Sequence, residues 1–471
     1  MKLNIIYRNE QILAGHKIVG NGVLFILLLL LAGCEKDLEP GLPSSQLIGE
    51  AIFEDTATVD AALTSIYSGL RDNSTVEGTP SGVTVLMGLY ADELDYYRAD
   101  AQTDAAFFNH TVLPSNGAVD DFWNNNYALI YQSNAILEGL EEGGLTMGEK
   151  GPFMGEAYFL RAYLHFYLTQ LYGEIPYIVS TDYTQNSSPS RMPLPEIYEL
   201  IEQDLLQAKE LLSVSDASGE HIRATKGAAS ALLARCYLYT QQWEKAKTES
   251  TAVIEGGVYV WQPELDQVFL RESPSIIWQL KPEFEGAATK AGEIFVFENG
   301  PPPLYALTDL FISDFESGDL RKGIWTRAIS DGTDTWYHAF KYKQNTALGS
   351  SSEYSVLFRL AEVYLIRAET LVRLGNMEAA KNDINKIRQR AGLDGTTANS
   401  VDDLLEELVL QRKYELFTEQ GHRWFDLKRL QLANEILGPV KPNWNPTDVL
   451  LPLPQQELIL NPSLQPQNSG Y

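Results

Sequence analysis

Cysteine is scarce in this chain of 471 residues, which contains only Cys34 and Cys236. Two cysteines are too few for the network of disulfides that holds a small secreted domain together, and too few for a zinc site with four thiolate ligands. Cys236 lies in an apolar stretch, residues 231–237, where a lone thiol is typical of a small core residue. The fold therefore has to be stabilised by an apolar core.

Catalytic and cofactor-binding motifs are also missing. The six histidines are scattered, and the sequence contains no His-Glu-x-x-His, no Gly-x-Ser-x-Gly and no glycine-rich loop for phosphate. These absences predict no cofactor and no metal site, and they argue against an enzyme. A glycoside hydrolase stays open as a less favoured alternative, because its two carboxylates are brought together by the fold and leave no fixed spacing in sequence.

Basic residues are few. The chain has 36 Lys and Arg against 63 Asp and Glu, a formal net charge of −27. A surface this acidic repels phosphate backbones, so nucleic acid is excluded as an expected partner.

The chain has one long apolar run, residues 23–31, which follows Lys2, Arg8 and Lys17. The run is too short to span a bilayer, but it suits the hydrophobic region of an export signal. It ends in Leu31-Ala32-Gly33-Cys34, which resembles a bacterial lipobox. The resemblance implies that residues 1–33 are removed as a signal peptide, that Cys34 is lipidated, and that residues 34–45 tether the rest of the chain to a membrane.

Helical periodicity dominates the remainder, residues 46–471, which we interpret as a single domain. Two segments, about 225–255 and 355–390, align with each other as helix, tight turn and helix, and small residues such as Ala234 and Ala368 recur at matching positions. We therefore predict a mostly α fold built on a scaffold of tetratricopeptide-like helical hairpins, with a few short strands. Two loop-rich insertions, about 87–113 and 256–344, interrupt the helices and are candidates for ligand binding.

Several motifs then match a known family. They include Trp123-x-x-x-Tyr127-x-x-Ile130-x-x-x-Asn134, the stretch from Gly155 to Pro176, residues 358–369, Gly421-His422-Arg423-Trp424-Phe425-Asp426 and the tail from Leu451 to Tyr471. In this order and spacing they resemble the SusD/RagB family of outer-membrane lipoproteins from Bacteroidetes.

The resemblance implies a function in nutrient uptake without catalysis. A SusD-like protein is expected at the cell surface, anchored in the outer membrane by lipid, where it binds oligosaccharide or polysaccharide and delivers it to a SusC-like TonB-dependent transporter. The alternative within the same family is a RagB-like protein that takes up peptides.

For a sugar-binding site we select aromatic and polar residues of the two insertions, because sugar rings stack on aromatic faces while carboxylates and amides bond their hydroxyls. The candidate stacking residues are Tyr96, Tyr97, Phe107, Trp325 and Trp336. The candidate polar contacts are Asp95, Asp100 and Asn299. The competing interpretation for each is local packing of a loop onto the helices.

Three arginines, Arg161, Arg367 and Arg423, lie in apolar or aromatic surroundings. Buried guanidinium groups require carboxylate or carbonyl partners. We therefore predict core ion pairs, with the nearby Glu156, Glu369 and Asp426 as candidate partners.

Overall fold

The computed structural model describes residues 52–74, 82–98 and 102–471. The predicted signal peptide, the tether, the lipidation site Cys34 and the candidate contact Asp100 lie outside the described residues. From Ile52 onward the chain forms one unit.

The described residues are mostly helical. The helices of the first half are α1 (Thr56–Asp72), α2 (Val83–Tyr90), α3 (Gln102–Phe108), α4 (Gly117–Glu142), α5 (Met147–Tyr172), α6 (Tyr183–Asn186), α7 (Leu194–Leu211), α8 (Lys226–Tyr239) and α9 (Trp243–Glu255). Those of the second half are α10 (Lys290–Phe295), α11 (Asp309–Ser313), α12 (Leu320–Ile324), α13 (Leu360–Arg373), α14 (Met377–Arg390), α15 (Val401–Leu416), α16 (His422–Arg429), α17 (Ala433–Leu437) and α18 (Gln455–Leu460). No helix among these is both long and apolar enough to cross a membrane.

Seven helices form a row in which each packs on the next: α4, α5, α7, α8, α9, α13 and α14, with α15 against α13 and α14. The pairs α8–α9 and α13–α14 are the hairpins that the repeat predicted, each with a residue of positive φ in its turn, Gln241 and Gly375. In α4 the buried side chains of Trp123, Ile130 and Leu137 recur every seven residues, which aligns them on one face. The predicted fold class, a mostly α scaffold of helical hairpins, is confirmed.

The strands form two antiparallel sheets. They are β1 (Leu94–Tyr96), β2 (Ile276–Leu280), β3 (Tyr305–Leu307), β4 (Thr326–Ser330), β5 (Thr335–Ala339) and β6 (Ser355–Arg359). The larger sheet has the order β1-β3-β5-β4, and the smaller one pairs β2 with β6. Strand β6 leads directly into α13, so the smaller sheet joins the second insertion to the hairpin scaffold.

A buried ion network lies where β6 meets the end of α15. The Arg359 guanidinium donates to Glu415 Oε1 at 2.5 Å and to Glu419 Oε2 at 2.8 Å, while Arg390 also donates to Glu415 and Lys341 to Glu419. Burial alone would raise the pKa of Glu415, but the guanidinium groups of Arg390, Arg359 and Arg321 lower it to about 2. These charges belong to the architecture, since both carboxylates are shielded from solvent.

The arginines selected from sequence all form ion pairs, but with other partners than those predicted. Arg161 binds Asp204, Arg367 binds Asp383 and Glu255, and Arg423 binds Asp92 in two hydrogen bonds of 2.8 Å. The three predicted carboxylates serve other arginines, as Glu156 pairs with Arg223, Glu369 with Arg429, and Asp426 with Arg412 and Arg429. Proximity in sequence is a poor guide to these pairs, because the main partners lie 16, 43 and 331 positions away on other helices and turns.

Candidate functional site

The larger sheet brings the two insertions together. Strand β1 comes from the first insertion and pairs with β3 of the second, with Asp95 opposite Ala306 and Tyr96 opposite Tyr305. The Tyr97 N–H extends this pairing by donating to the Leu304 carbonyl at 2.8 Å. Because β1 is the edge strand of the sheet, no other strand of the described residues covers its outer side.

Alternation along the strands places two aromatic residues on one face. Across β1, β3 and β5, Leu94 lies opposite Leu307, and Leu307 lies opposite Tyr337. The side chains of these three residues therefore lie on one face of the sheet. Tyr97 lies three residues after Leu94, and Trp336 lies one residue before Tyr337. Both side chains therefore point to the opposite face of the sheet from Leu94 and Tyr337. The Trp336 indole lies close enough to the Tyr97 hydroxyl to lower its pKa, and 38% of Tyr97 is exposed.

Trp336 is held against the loop that precedes β3. A Cβ atom at Gly300 would come within 2.1 Å of the Trp336 ring, so the indole lies directly on the glycine backbone. Asn299, the neighbour of Gly300, is exposed beside this contact. The loop thus fixes the indole and presents an amide next to it.

The opposite side of β1 carries Tyr96, whose ring contacts Phe108 with the centroids 5.4 Å apart. The Lys441 ammonium lies 3.7 Å from the Phe108 ring centroid. A shallow depression of about 490 Å³ runs along β1 and is lined by Asp95, Tyr96, Tyr97, Arg98 and Phe108. We call Asp95, Tyr96, Tyr97, Asn299 and Trp336 the aromatic edge.

The surroundings of Tyr97 are acidic. Burial raises the pKa of the Tyr97 hydroxyl, and the carboxylates of Asp95, Asp309 and Asp334 raise it further. The pKa of Asp95 is also raised, by burial and by Asp309, against the opposing effect of Lys441. Burial in turn lowers the pKa of Lys441 to about 8. The aromatic edge therefore combines exposed rings with hydrogen-bond acceptors.

Two predicted stacking residues are corrected by the structure. Phe107 is 0% exposed and packs between the rings of Tyr90 and Phe122. Trp325 is also 0% exposed, and its indole N–H donates to the Leu265 carbonyl at 2.9 Å. Both are core residues with no surface for a ligand.

Three residues of this region, Phe108, Asp309 and the supporting Gly300, are not among the candidates selected from sequence. For Phe108 a signal existed, because adjacent residues of a helix point in different directions and only one ring of the pair 107–108 can face the core. Asp309 and Gly300 carry no such signal, since their positions depend on how β3 and its flanking loops pair. Within the described ranges, no three His, Cys, Asp or Glu side chains are arranged to hold a metal ion.

The comparisons with known proteins agree with the helical scaffold described above. Residues 51–238 match a family model described as starch-binding and associating with the outer membrane, and residues 320–471 match the model of the SusD family. The chain belongs to the SusD/RagB family.

Individual relatives agree with this assignment. A SusD-like protein of Formosa agariphila is 29% identical, and the alignment covers 95% of this chain and 98% of that protein. The crystal structure of a SusD superfamily protein from Bacteroides vulgatus superposes with a TM-score of 0.78 at 22% identity, over 89% of this chain and all of that one. A laminarin-binding SusD-like protein superposes with a TM-score of 0.75 at 21% identity, over 88% of this chain and 99% of that one.

Proposed function

We propose that the protein binds oligosaccharides at the aromatic edge and delivers them to a SusC-like TonB-dependent transporter. The observation that carries this proposal is the pair Tyr97 and Trp336: Tyr97 lines an open depression together with Asp95, and Trp336 lies beside it against the loop that contains Asn299 and Gly300. Aromatic faces accept the apolar side of a sugar ring, and carboxylates and amides bond its hydroxyls. The starch-binding description of the matching family model and the laminarin-binding relative support a glucan as the first ligand to test.

The test is calorimetric titration of the protein with laminarin and with soluble starch. Replacing Tyr97 and Trp336 together with alanine should weaken binding at least about tenfold, a loss of about 1.4 kcal/mol. Phe284→Ala is the matched control, because Phe284 is an exposed aromatic that lies against α1 and not on the sheet. Equal affinity of the double variant and the wild type would reject the aromatic edge as the binding site.

The acidic surroundings of Tyr97 favour a second candidate, uptake of cationic peptides in the manner of RagB-like proteins. Asp95, Asp309 and Asp334 would attract lysine and arginine side chains. A lysine-rich peptide that binds the aromatic edge more tightly than either glucan would favour this function.

The proposed role is passive, so no bond is made or broken. Release of reducing sugar from laminarin or starch by the purified protein would contradict this passive role and would favour the alternative function, a glycoside hydrolase. A variant lacking the aromatic edge distinguishes the two roles, because a hydrolase would lose its turnover along with its binding.

Attachment to the outer membrane through Cys34 belongs to the same proposal. Cys34→Ser should remove labelled fatty acid from the protein and shift it out of the membrane fraction. Fatty-acid labelling that persists in this variant would reject the lipidation site, and failure of the wild type to copurify with a TonB-dependent transporter would reject the partner.

A further inference from the structure

A second cleft, remote in sequence from the larger sheet, lies against helix α4. Its cavity of about 300 Å³ is lined on one side by Trp123, Tyr127 and Tyr131, which recur every four residues along the helix. The other walls come from residues 176–189, between α5 and α7, and from residues 457–464 at the end of α18. Three aromatic residues on one helix face thus form a wall that opens to solvent.

The walls of this cleft are held in place by hydrogen bonds. The Tyr127 hydroxyl donates to the Pro176 carbonyl at 2.7 Å, and the Asn461 amide donates to the Pro189 carbonyl at 2.8 Å. These bonds make the cleft preformed. They also occupy the Tyr127 hydroxyl and the Asn461 amide, which are therefore not free to bind a ligand.

A carboxylate in the cleft lacks a cation. Glu457 is half-buried beside Tyr127 and near Asp120, and no ion pair of Glu457 occurs among the described residues. One oxygen of Asp120 is likewise buried and has no hydrogen-bond partner in the part of the chain that the structure describes. No lysine or arginine of the described residues lines the cleft. Burying carboxylates without a counter-charge is unfavourable, and a bound cation would relieve that cost.

The rim of the cleft is apolar and unusually exposed. Tyr131 is 53% exposed and Leu460 is 72% exposed. Three more large apolar residues with over half of their surface exposed lie within three positions of the lining residues: Val179, Tyr183 and Ile459. Apolar residues concentrated in this way on a chain with a net charge of −27 indicate a surface that another molecule covers.

We propose that this cleft docks a polypeptide partner, which inserts a lysine or arginine side chain between Tyr131 and Glu457 and lays apolar residues on the rim. The aromatic wall attracts the cation through its ring faces, and Glu457 supplies the opposite charge, reinforced by the negative charge of Asp120 near Glu457. The apolar stem of the same side chain packs on Tyr131 and Leu460. This chemistry selects a basic polypeptide over a sugar, and it does not depend on the proposed sugar-binding function.

The test uses the full chain and two short peptides. One is acetyl-Ala-Leu-Arg-Leu-Ala-amide, and the other carries citrulline, the uncharged analogue of arginine, at the central position. We expect the arginine peptide to bind at least about tenfold more tightly, as measured by calorimetry at low salt. Equal binding of the two peptides, or no binding of the arginine peptide, would overturn the proposal.

Variants locate the binding. Glu457→Gln should weaken the arginine peptide about tenfold and leave the citrulline peptide unchanged, and Tyr131→Ala should weaken both. Glu199→Gln, at an exposed position of α7, is the matched control and should change neither. Unchanged affinity for the arginine peptide in Glu457→Gln, with an unchanged thermal midpoint, would overturn the proposed contact.

The other possible occupants give distinct outcomes. If Tyr131→Ala weakens laminarin and Glu457→Gln leaves the arginine peptide unaffected, the cleft is a sugar subsite and the proposal is overturned. If deletion of residues 34–45 strengthens peptide binding, those residues occupy the cleft in the intact chain and no external partner is needed. If the aromatic edge fails to bind glucans, the proposed sugar-binding function is rejected and the proposal for this cleft is unaffected.

Discussion

The ion network around Glu415 and the aromatic edge around Tyr97 contain the same chemical groups in opposite states of pairing. Glu415 is fully buried and accepts hydrogen bonds from Arg359 and Arg390, which hold its pKa at about 2. Asp95 lies beside Tyr97 at the surface, and burial raises its pKa, opposed only in part by Lys441. Charged residues of the core and of the proposed binding surface therefore differ in pairing and burial, and not in residue type.

The largest expected effect comes from breaking the network. Arg359→Met removes the cation shared by Glu415 and Glu419 and leaves both carboxylates buried, which should lower the free energy of unfolding by about 3–5 kcal/mol. Urea denaturation followed by circular dichroism measures the loss. Arg327→Met is the matched control, because Arg327 is exposed on β4 and its replacement should cost no more than about 0.5 kcal/mol.

Two of the tryptophans in the second insertion, Trp325 and Trp336, test the same contrast between a buried and a partly exposed group. Trp325→Ala removes a fully buried indole and should cost about 3–5 kcal/mol of stability, while Trp336→Ala should cost about 1 kcal/mol because the indole is half-buried. Thermal unfolding of both variants measures the difference. Similar losses in the two variants would mean that Trp336 is also a core residue, and the aromatic edge would lose its central member.

A buried glutamate in the opposite state to Glu415 gives an effect on stability that depends on pH. Burial, reinforced by Asp92, raises the pKa of Glu93 to about 8. In the unfolded chain a glutamate ionises near pH 4.3, so between about pH 5 and 8 the folded state holds a proton that the unfolded state has lost. Stability contributed by Glu93 is therefore complete below this range and declines as the pH rises, by at most about 1.4 kcal/mol per pH unit.

The measurement is the difference in unfolding free energy between the wild type and Glu93→Gln from pH 5 to pH 8. The variant should gain on the wild type as the pH rises, because glutamine has no proton to lose. Glu199→Gln should show a constant difference over the same range, since Glu199 is exposed. A constant difference for Glu93→Gln as well would mean that this carboxyl group titrates normally in the folded protein.

Much of the scaffold could be predicted from sequence because helical hairpins leave local signals. The spacing of Trp123, Ile130 and Leu137, and the match between the two hairpins, require only neighbouring residues. The ion pairs could not be assigned, because Arg161 finds its partner 43 positions away and Arg423 finds its partner 331 positions away.

The binding surface was predictable only in part, for the same reason. Tyr97 and Trp336 come together through the pairing of β1, β3 and β5, which joins segments more than 200 residues apart. Phe107 and Trp325 lie in the same two insertions as Tyr97 and Trp336, but tertiary packing buries them. An aromatic residue in a loop is thus a candidate for ligand binding, and the pairing of the strands determines which of these residues are exposed.

The smallest expected effect concerns the position of the Trp336 ring within the aromatic edge. Gly300→Ala keeps every aromatic residue but places a methyl group where the Trp336 ring now lies, 2.1 Å from its nearest atom. The indole has to move, so affinity for a glucan that stacks on it should fall about threefold to tenfold, which corresponds to about 0.6–1.4 kcal/mol. Calorimetric titration with laminarin measures the change. Gly349→Ala is the matched control, because a Cβ atom at Gly349 meets nothing within 4 Å. Unchanged binding in Gly300→Ala, alongside the expected loss in Trp336→Ala, would show that the presence of the ring matters and its exact position does not.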